Sequence, residues 1–175
     1  LNFEATEPKG LDVHATGDAV DLEGVQFTVT GATSDYVKLE HASQGDGFSS
    51  DPVFKVLYTI KNNSDNPVTY RPGHRDVAGR RVATLSGEKT TYARMKFSGS
   101  TTVKGQITDE TTIEAGDSVE DFSIFERPGE SASTLRFTFP ASRIGRDSLI
   151  RYDLSYEYQK LEVPEPLRND GEDDE

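Results

Sequence analysis

Short runs of alternating apolar and polar side chains constrain the fold of this chain more than any other feature of its sequence. In residues 51–70, four large apolar residues occupy every second position, which is the period of a β-strand with one buried face. They are Phe54, Val56, Tyr58 and Ile60. Val53 and Leu57 add apolar side chains to the opposite face. We therefore expect this strand to be central in its sheet.

A polar turn follows the strand. Residues 62–66 read NNSDN and precede Pro67. Asn, Asp and Ser side chains bond to nearby backbone, and proline cannot donate to a β-ladder. Because residues 68–70 are again extended in pattern, the sequence predicts a central hairpin of a long strand, a turn and a return strand. Asn62-Asn63-Ser64 also matches a glycosylation acceptor, but its role in the turn explains it fully.

The same alternation recurs along the chain, at residues 25–30, at 135–139 and most clearly at 150–158. No window of ten or more residues has a helical period, although residues 141–147 suit one helical turn. Many short strands separated by turn residues are typical of an antiparallel sandwich. The sequence thus predicts an all-β, immunoglobulin-like antiparallel β-sandwich, with a closed barrel as the alternative.

The length of 175 residues suits one domain with a substantial core. We expect a lead-in at residues 1–10, the sandwich at residues 11–160 and a flexible acidic tail at residues 161–175. The tail contains two prolines and ends in NDGEDDE, and like charges keep such a segment extended. The chain begins at Leu1 without a signal-like segment, so we expect a processed or trimmed piece whose signal or anchor was removed.

Composition makes several classes of function unlikely. The net charge of −12 argues against a duplex nucleic-acid binder, which needs a basic face, and against attraction to an anionic membrane. The chain has no cysteine, so disulfides, thiolate metal sites and a cysteine nucleophile are excluded. No apolar run approaches the ~20 residues that span a bilayer. The acidic balance is typical of a soluble surface.

Four ordered segments carry a family resemblance over residues 25–156. They read VQFTVTGA, VFKVLYTIKNNSDNPVTY, IEAGDSVEDFSIFERP and LRFTFP. This pattern resembles the immunoglobulin-like domains of the DUF4352 family, bacterial extracytoplasmic modules. Here Ala115-Gly116 stands where that family often has Pro-Gly, and the run ending at Pro128 replaces its usual F-x-V-P. The resemblance implies an accessory domain of the cell envelope or extracellular space, often beside a signal peptide or membrane anchor, with no agreed catalytic residues.

A basic island interrupts this acidic chain in a polar loop at residues 71–81. Its cationic side chains are Arg71, His74, Arg75, Arg80 and Arg81. Guanidinium groups bind carboxylates and phosphates well, so this loop is the predicted binding surface for an acidic partner or glycan. The alternative is that these arginines pair with the surplus carboxylates of the chain itself.

The loop at residues 45–51, GDGFSSD, supplies oxygen atoms of the kind that calcium binds. Asp46 and Asp51 are the candidate metal ligands, with Asp35 and Glu40 upstream. The spacing does not fit an EF-hand, and an ordinary loop explains it as well. The three histidines, His14, His41 and His74, lie far apart and do not indicate zinc.

No catalytic constellation emerges from the remaining residues. His74-Arg75-Asp76 matches the start of a kinase catalytic loop, but the required asparagine is missing. No serine lies in a G-x-S-x-G elbow. Four aromatic residues are candidates for a sugar-stacking platform, namely Tyr36, Phe48, Tyr70 and Tyr92. We therefore expect a non-catalytic accessory or interaction domain without a cofactor, and alternatively a calcium- or carbohydrate-binding module.

Overall fold

A computed structural model of the chain describes residues 12–40, 47–72, 82–97 and 100–165. In chain order its strands are β1 (Val13–Ala15), β2 (Ala19–Leu22), β3 (Val25–Asp35), β4 (Lys38–Glu40), β5 (Gly47–Phe48), β6 (Val53–Asn62), β7 (Val68–Tyr70), β8 (Thr84–Ser86), β9 (Thr91–Tyr92), β10 (Thr102–Val103), β11 (Thr111–Ile113), β12 (Ser118–Glu126), β13 (Thr134–Pro140) and β14 (Leu149–Ser155). A turn of 3₁₀ helix, Ala141–Ile144, lies between β13 and β14, within the segment where the sequence predicts a helical turn.

Two larger sheets pack face to face, which confirms the predicted all-β, immunoglobulin-like antiparallel sandwich. One sheet has the strand order β12-β6-β3-β2 and the other has the order β1-β14-β13-β8-β9. Their strands pair antiparallel except at one edge, where β1 runs parallel to β14. After β9 the chain crosses to the other sheet. There the N–H of Met95 donates to the carbonyl of Ile124 on β12 (3.0 Å).

The main core lies between these sheets and contains the side chains that the alternation predicts to be buried. Phe54, Val56, Tyr58 and Ile60 of β6 are all at most 2% exposed. From the facing sheet, β13 and β14 contribute their own alternating residues to the same cluster. Phe27 of β3 stacks on Phe139 of β13, with ring centroids 4.3 Å apart. The aromatic contacts between sheets therefore hold the two layers together.

The outer face of the four-stranded sheet carries a second, smaller core. Val53 and Leu57 of β6 pack there with Phe122 and Ile124 of β12. A three-stranded sheet of order β10-β4-β5 covers this face, and Leu39 of β4 packs into the cluster. β6 lies between β3 and β12, so its predicted central position is confirmed. The separate covering sheet is not evident from the sequence, because its strands have only two or three residues.

The predicted central hairpin is wrong in its pairing. β7 follows the polar turn as expected, but it pairs with β11 instead of β6. The cause is Asn62, which is fully buried at the end of β6. Its Nδ2 donates to the carbonyls of Asn66 (2.7 Å) and Ile113 (2.9 Å), and its Oδ1 accepts from the N–H of Ser64 (3.0 Å). The asparagine thus joins the turn to β11, and its burial confirms the turn interpretation over the glycosylation acceptor.

The ends of the chain lie partly beyond the described residues, and the predicted domain limits stay predictions. Residues 161–165 of the predicted tail are described and follow β14 across the surface. No helix among residues 12–40, 47–72, 82–97 and 100–165 is long and apolar enough to cross a membrane.

Candidate ligand-binding groove

The predicted basic surface at residues 71–81 is described only at its start. The side chain of Arg71 is 41% exposed, and its Nε lies 3.5 Å from Glu110 Oε2, as the internal-pairing alternative expects. Its backbone N–H donates to the carbonyl of Arg143 (2.8 Å). The other four predicted residues of this surface, His74, Arg75, Arg80 and Arg81, lie outside the described residues. Partner binding by this loop therefore stays a prediction.

The predicted calcium loop is also described in part. Asp46 lies outside the described residues, whereas Asp51 is exposed. The carbonyl of Asp51 accepts a hydrogen bond from the hydroxyl of Ser49 (2.8 Å). Within the described part of the chain, no group of three or more His, Asp or Glu side chains is placed to hold a metal ion. Calcium binding at residues 45–51 stays a prediction.

The four aromatic residues predicted to form one sugar-binding platform are divided by the structure. Tyr70 is fully buried, so it cannot meet a ligand at the surface. Tyr92 lines a different pocket, beside Gly87 and Thr134. Tyr36 and Phe48 do lie together, in a groove of about 350 Å³ between the covering sheet and the four-stranded sheet. The platform prediction is therefore wrong for Tyr70 and Tyr92, while the other two rings share one groove.

This groove is the strongest candidate for a functional site, and we name it the lysine groove. Its lining residues are Thr33, Asp35, Tyr36, Val37, Lys38, Phe48, Lys55, Val103, Lys104 and Pro164. The three lysines and one aspartate give these described residues a formal charge of +2 in a chain of net charge −12. Positive charge thus gathers at a concave surface, where a low-dielectric wall strengthens its field.

Backbone pairing places the aromatic rings. The N–H of Ser49 donates to the carbonyl of Val37 (2.9 Å), and the N–H of Val37 donates to the hydroxyl of Ser49 (3.1 Å). This reciprocal pair holds the residue after Tyr36 against the residue after Phe48. Each ring is half-buried, so each keeps apolar surface in the groove. The arrangement leaves two rings available to pack against a ligand.

The lysines come from three different strands or strand ends. Lys38 begins β4, and its carbonyl accepts a hydrogen bond from the N–H of Lys104 (2.9 Å), just after β10. Lys55 projects from β6, and its Nζ lies 4.0 Å from the ring centroid of Phe122. That cation–π contact holds the ammonium of Lys55 against β12. Among the described residues, none of these three lysines forms an ion pair.

A second groove, of about 340 Å³, lies on the other side of β10, and we name it the hydroxyl groove. Its lining residues are Met95, Lys96, Phe97, Ser100, Thr101, Thr102, Val103, Gln106, Thr108 and Ile124. Four of these residues carry hydroxyl groups, which both donate and accept hydrogen bonds. Val103 lines both grooves, so the two grooves adjoin at β10.

Sequence reasoning missed the lysines of the groove. Tyr36 and Lys38 stand two positions apart, which is a signal that both point to one side of an extended segment. Lys55 breaks the apolar pattern of β6, although it lies between Val53 and Leu57 on their outward face. No local pattern links these residues to Lys104. Only the pairing of β10 with β4 brings that lysine to the groove.

A buried polar cluster is the other unusual feature. Tyr70 donates to Asp121 Oδ2, and the hydroxyls of Tyr58 and Tyr70 lie 3.0 Å apart. The N–H of Ile107 donates to Asp121 Oδ1 (2.9 Å). Burial raises the pKa of Asp121 and of both tyrosines. Because these three side chains are at most 4% exposed, they cannot meet a dissolved ligand, and their role is to join β6, β7 and β12.

Comparison with known proteins supports the fold class. The sequence matches no protein-family model and no curated protein. Among solved structures, the yjhA protein of Bacillus subtilis is similar with a TM-score of 0.54 and 12% identity, over 82% of this chain and 100% of that chain. A Bacillus subtilis protein described as a "putative lipoprotein (ycdA)" has a TM-score of 0.49 and 16% identity, over 81% of this chain and 38% of that one. An uncharacterized β-sandwich protein of Clostridium difficile 630 has a TM-score of 0.44 and 12% identity, over 85% of this chain and 100% of that chain. The chain therefore shares a β-sandwich fold with yjhA.

Proposed function

We propose that this chain is a non-catalytic accessory domain that binds carbohydrate in the lysine groove. The observation that carries the proposal is the convergence of Tyr36, Phe48 and three lysines on one concave surface. Aromatic faces cover the apolar faces of sugar rings, and each ammonium offers three hydrogen-bond donors to hydroxyl or carboxylate oxygens. The groove volume of about 350 Å³ falls in the usual range for ligand sites.

The composition of the groove supports binding without hydrolysis. The part of its lining that the structure describes contains one carboxylate, Asp35, whereas glycoside hydrolysis ordinarily uses a pair. One oxygen of Asp35 already accepts the N–H of Tyr36 (2.8 Å). A role in holding a ligand is therefore favoured over a role in acid–base chemistry.

We also propose that the domain works at the cell envelope or outside the cell, as a relative of the DUF4352 modules. What supports this is the ordered resemblance of residues 25–156 to those modules. A glycan-binding domain in that location would keep its parent protein near an envelope or matrix polysaccharide.

A protein partner at residues 71–81 is the second proposal. It is supported by the density of arginine in that segment and by the exposure of Arg71 at its start. Charge reversal of Arg75 and Arg80 together should abolish capture of an acidic protein partner from an envelope extract. Unchanged capture by the doubly reversed chain would refute this surface.

Carbohydrate binding is tested by removing each groove ring in turn. Isothermal titration against purified neutral and acidic polysaccharides should show at least one ligand whose affinity falls by about tenfold in Tyr36→Ala and in Phe48→Ala. Tyr92→Ala is the matched control, because that ring lines another pocket, and it should bind as the unaltered chain does. If both groove variants keep the affinity of every bound polysaccharide, the groove is not the site.

A further inference from the structure

The lysine groove and the hydroxyl groove are linked by more than their shared lining residue, Val103. Lys55 lines the lysine groove and Ile124 lines the hydroxyl groove. These two residues are direct cross-strand partners in the pairing of β6 with β12. Paired strands lie about 4.8 Å apart, so the floors of the two grooves adjoin. The outer face of one sheet therefore underlies both.

The charge of the combined surface favours an anion. Lys96 adds a fourth lysine from the hydroxyl groove, whereas Asp35 is the only carboxylate among the described residues that line either groove. In a chain with 31 acidic and 19 basic residues, such a surface opposes the overall balance. A ligand that carries spaced carboxylates would be attracted there and repelled from the rest of the surface.

The remaining lining groups favour a sugar polymer over an acidic peptide. Tyr36 and Phe48 provide flat apolar contacts at one end, and serine and threonine hydroxyls gather at the other. The Nε2 of Gln106 donates to the carbonyl of Phe122 (2.9 Å), which fixes the orientation of this amide in the hydroxyl groove. Rings that stack and hydroxyls that both donate and accept match a chain of hydroxylated rings.

We propose that the lysine groove and the hydroxyl groove form one continuous track for a linear acidic polysaccharide that bears uronate carboxylates. This inference rests on the proposed carbohydrate-binding function and narrows it to a charged polymer of several sugar units. In this proposal the lysines bind the carboxylates, the aromatic rings pack on the faces of the sugar rings, and the polymer crosses β10 from one groove into the next.

The experiment is calorimetric titration of the full chain with polygalacturonate, its fully methyl-esterified form, digalacturonate and polyglutamate. The ester keeps the sugar backbone and removes the charge. We expect polygalacturonate to bind about tenfold or more tightly than its ester, and to lose about tenfold in Lys38→Gln/Lys104→Gln. Lys61→Gln/Lys160→Gln is the matched control, since it removes the same charge from exposed lysines outside both grooves. Lys96→Gln should weaken the binding of polygalacturonate and leave the affinity for digalacturonate unchanged.

Each other result overturns a defined part of the proposal. Equal binding of the ester and the acid, still lost in Tyr36→Ala, overturns the uronate inference and leaves the carbohydrate function standing. Tighter binding of polyglutamate than of polygalacturonate assigns the surface to acidic peptides. Equal molar affinity of digalacturonate and the polymer, with no effect of Lys96→Gln, overturns the continuous track. Absence of binding by every saccharide in this experiment overturns the uronate inference. The titrations of Tyr36→Ala and Phe48→Ala against other neutral and acidic polysaccharides then decide the carbohydrate function separately.

Discussion

At the scale of single residues, two buried polar side chains organise this sandwich. Asn62 makes three hydrogen bonds of 3.0 Å or less to backbone groups of the turn and of β11. Asp121 accepts from Tyr70 and from the N–H of Ile107. Buried polar groups of this kind are costly when a partner is removed, because the partner is then left without a hydrogen bond.

Replacing Asn62 by alanine should therefore destabilise the fold strongly. We expect Asn62→Ala to lower the free energy of unfolding by about 2–3 kcal/mol, because it leaves the carbonyls of Asn66 and Ile113 without their donor. Urea denaturation followed by circular dichroism measures this loss. Asn63→Ala, an exposed neighbour in the same turn, should change stability by less than about 0.5 kcal/mol. Equal effects of the two substitutions would contradict the role given to Asn62.

The carboxyl of Asp121 should make stability depend on pH in a defined direction. Burial raises its pKa in the folded chain, so the folded state holds this proton at pH values where the unfolded state, with a pKa near 3.9, has released it. Its contribution to stability is therefore greatest below about pH 3.9 and falls as the pH rises through the folded-state pKa. As the pH rises from about 3.9 through the folded-state pKa, the free energy of unfolding of the unaltered chain should therefore fall relative to that of Asp121→Asn. Urea denaturation of both proteins over this pH range measures the difference. A difference between the two proteins that is constant with pH would contradict this reading.

At the scale of elements, the alternation of apolar and polar residues in the sequence predicts the strands and their buried faces. It does not predict which strands pair when the partners are distant in the chain. Alternation in β6 correctly identifies its buried face and its central position. The same alternation cannot show that β7 pairs with β11, because a buried asparagine decides that choice. For the groove, Tyr36 and Phe48 are recognisable as exposed aromatic candidates. The lysines are not, because they converge only after β4, β6 and β10 are assembled.

The tight turn between β2 and β3 gives a test at this scale. Glu23 and Gly24 both have positive φ, at 51° and 88°, which fits a two-residue hairpin turn of the kind that matches strand twist. A methyl group on Gly24 would lie 3.0 Å from Ser64 Cβ in the neighbouring turn. We expect Gly24→Ala to lower the free energy of unfolding by about 1–2 kcal/mol, because of backbone strain and the close contact with Ser64. The melting temperature should fall accordingly.

Gly31→Ala is the matched control for this turn. Gly31 follows the register shift in β3, and an added methyl group there would meet no atom within 4 Å. Its φ is not in the left-handed region. Calorimetric melting of both variants should therefore show a small change for Gly31→Ala beside the large one for Gly24→Ala. A larger loss at Gly31 would mean that local space and φ do not control these positions.

At the scale of the whole molecule, the surplus of negative charge and the positive groove should respond to salt in opposite ways. Screening weakens repulsion among the acidic residues that give the chain its net charge of −12, so folding should become more favourable as salt is added. The same screening weakens attraction between the lysine groove and an anionic polymer. Raising sodium chloride from about 0.01 M to about 0.15 M shortens the Debye length from about 30 Å to about 8 Å.

The prediction is thus a rise in melting temperature together with a fall in affinity for polygalacturonate over the same salt series. Lys38→Gln/Lys104→Gln should reduce the salt dependence of binding. It should not reduce the salt dependence of melting, because the substitutions make the net charge of the chain more negative. Calorimetry measures both quantities on the same samples. If the affinity for polygalacturonate does not vary with salt, the carboxylates of the polymer do not contribute to its binding in the groove.

The parallel contact between β1 and β14 has a consequence for how the chain reaches this structure during synthesis. Among the residues that the structure describes, β1 is the first strand and its partner β14 is the last, so β1 can pair only after β14 has left the ribosome. Pairings between such distant segments close late and slowly, because a long loop has to be ordered first. A nascent chain that pauses before β14 is complete would leave β1 unpaired. During that pause β1 would be accessible to a chaperone.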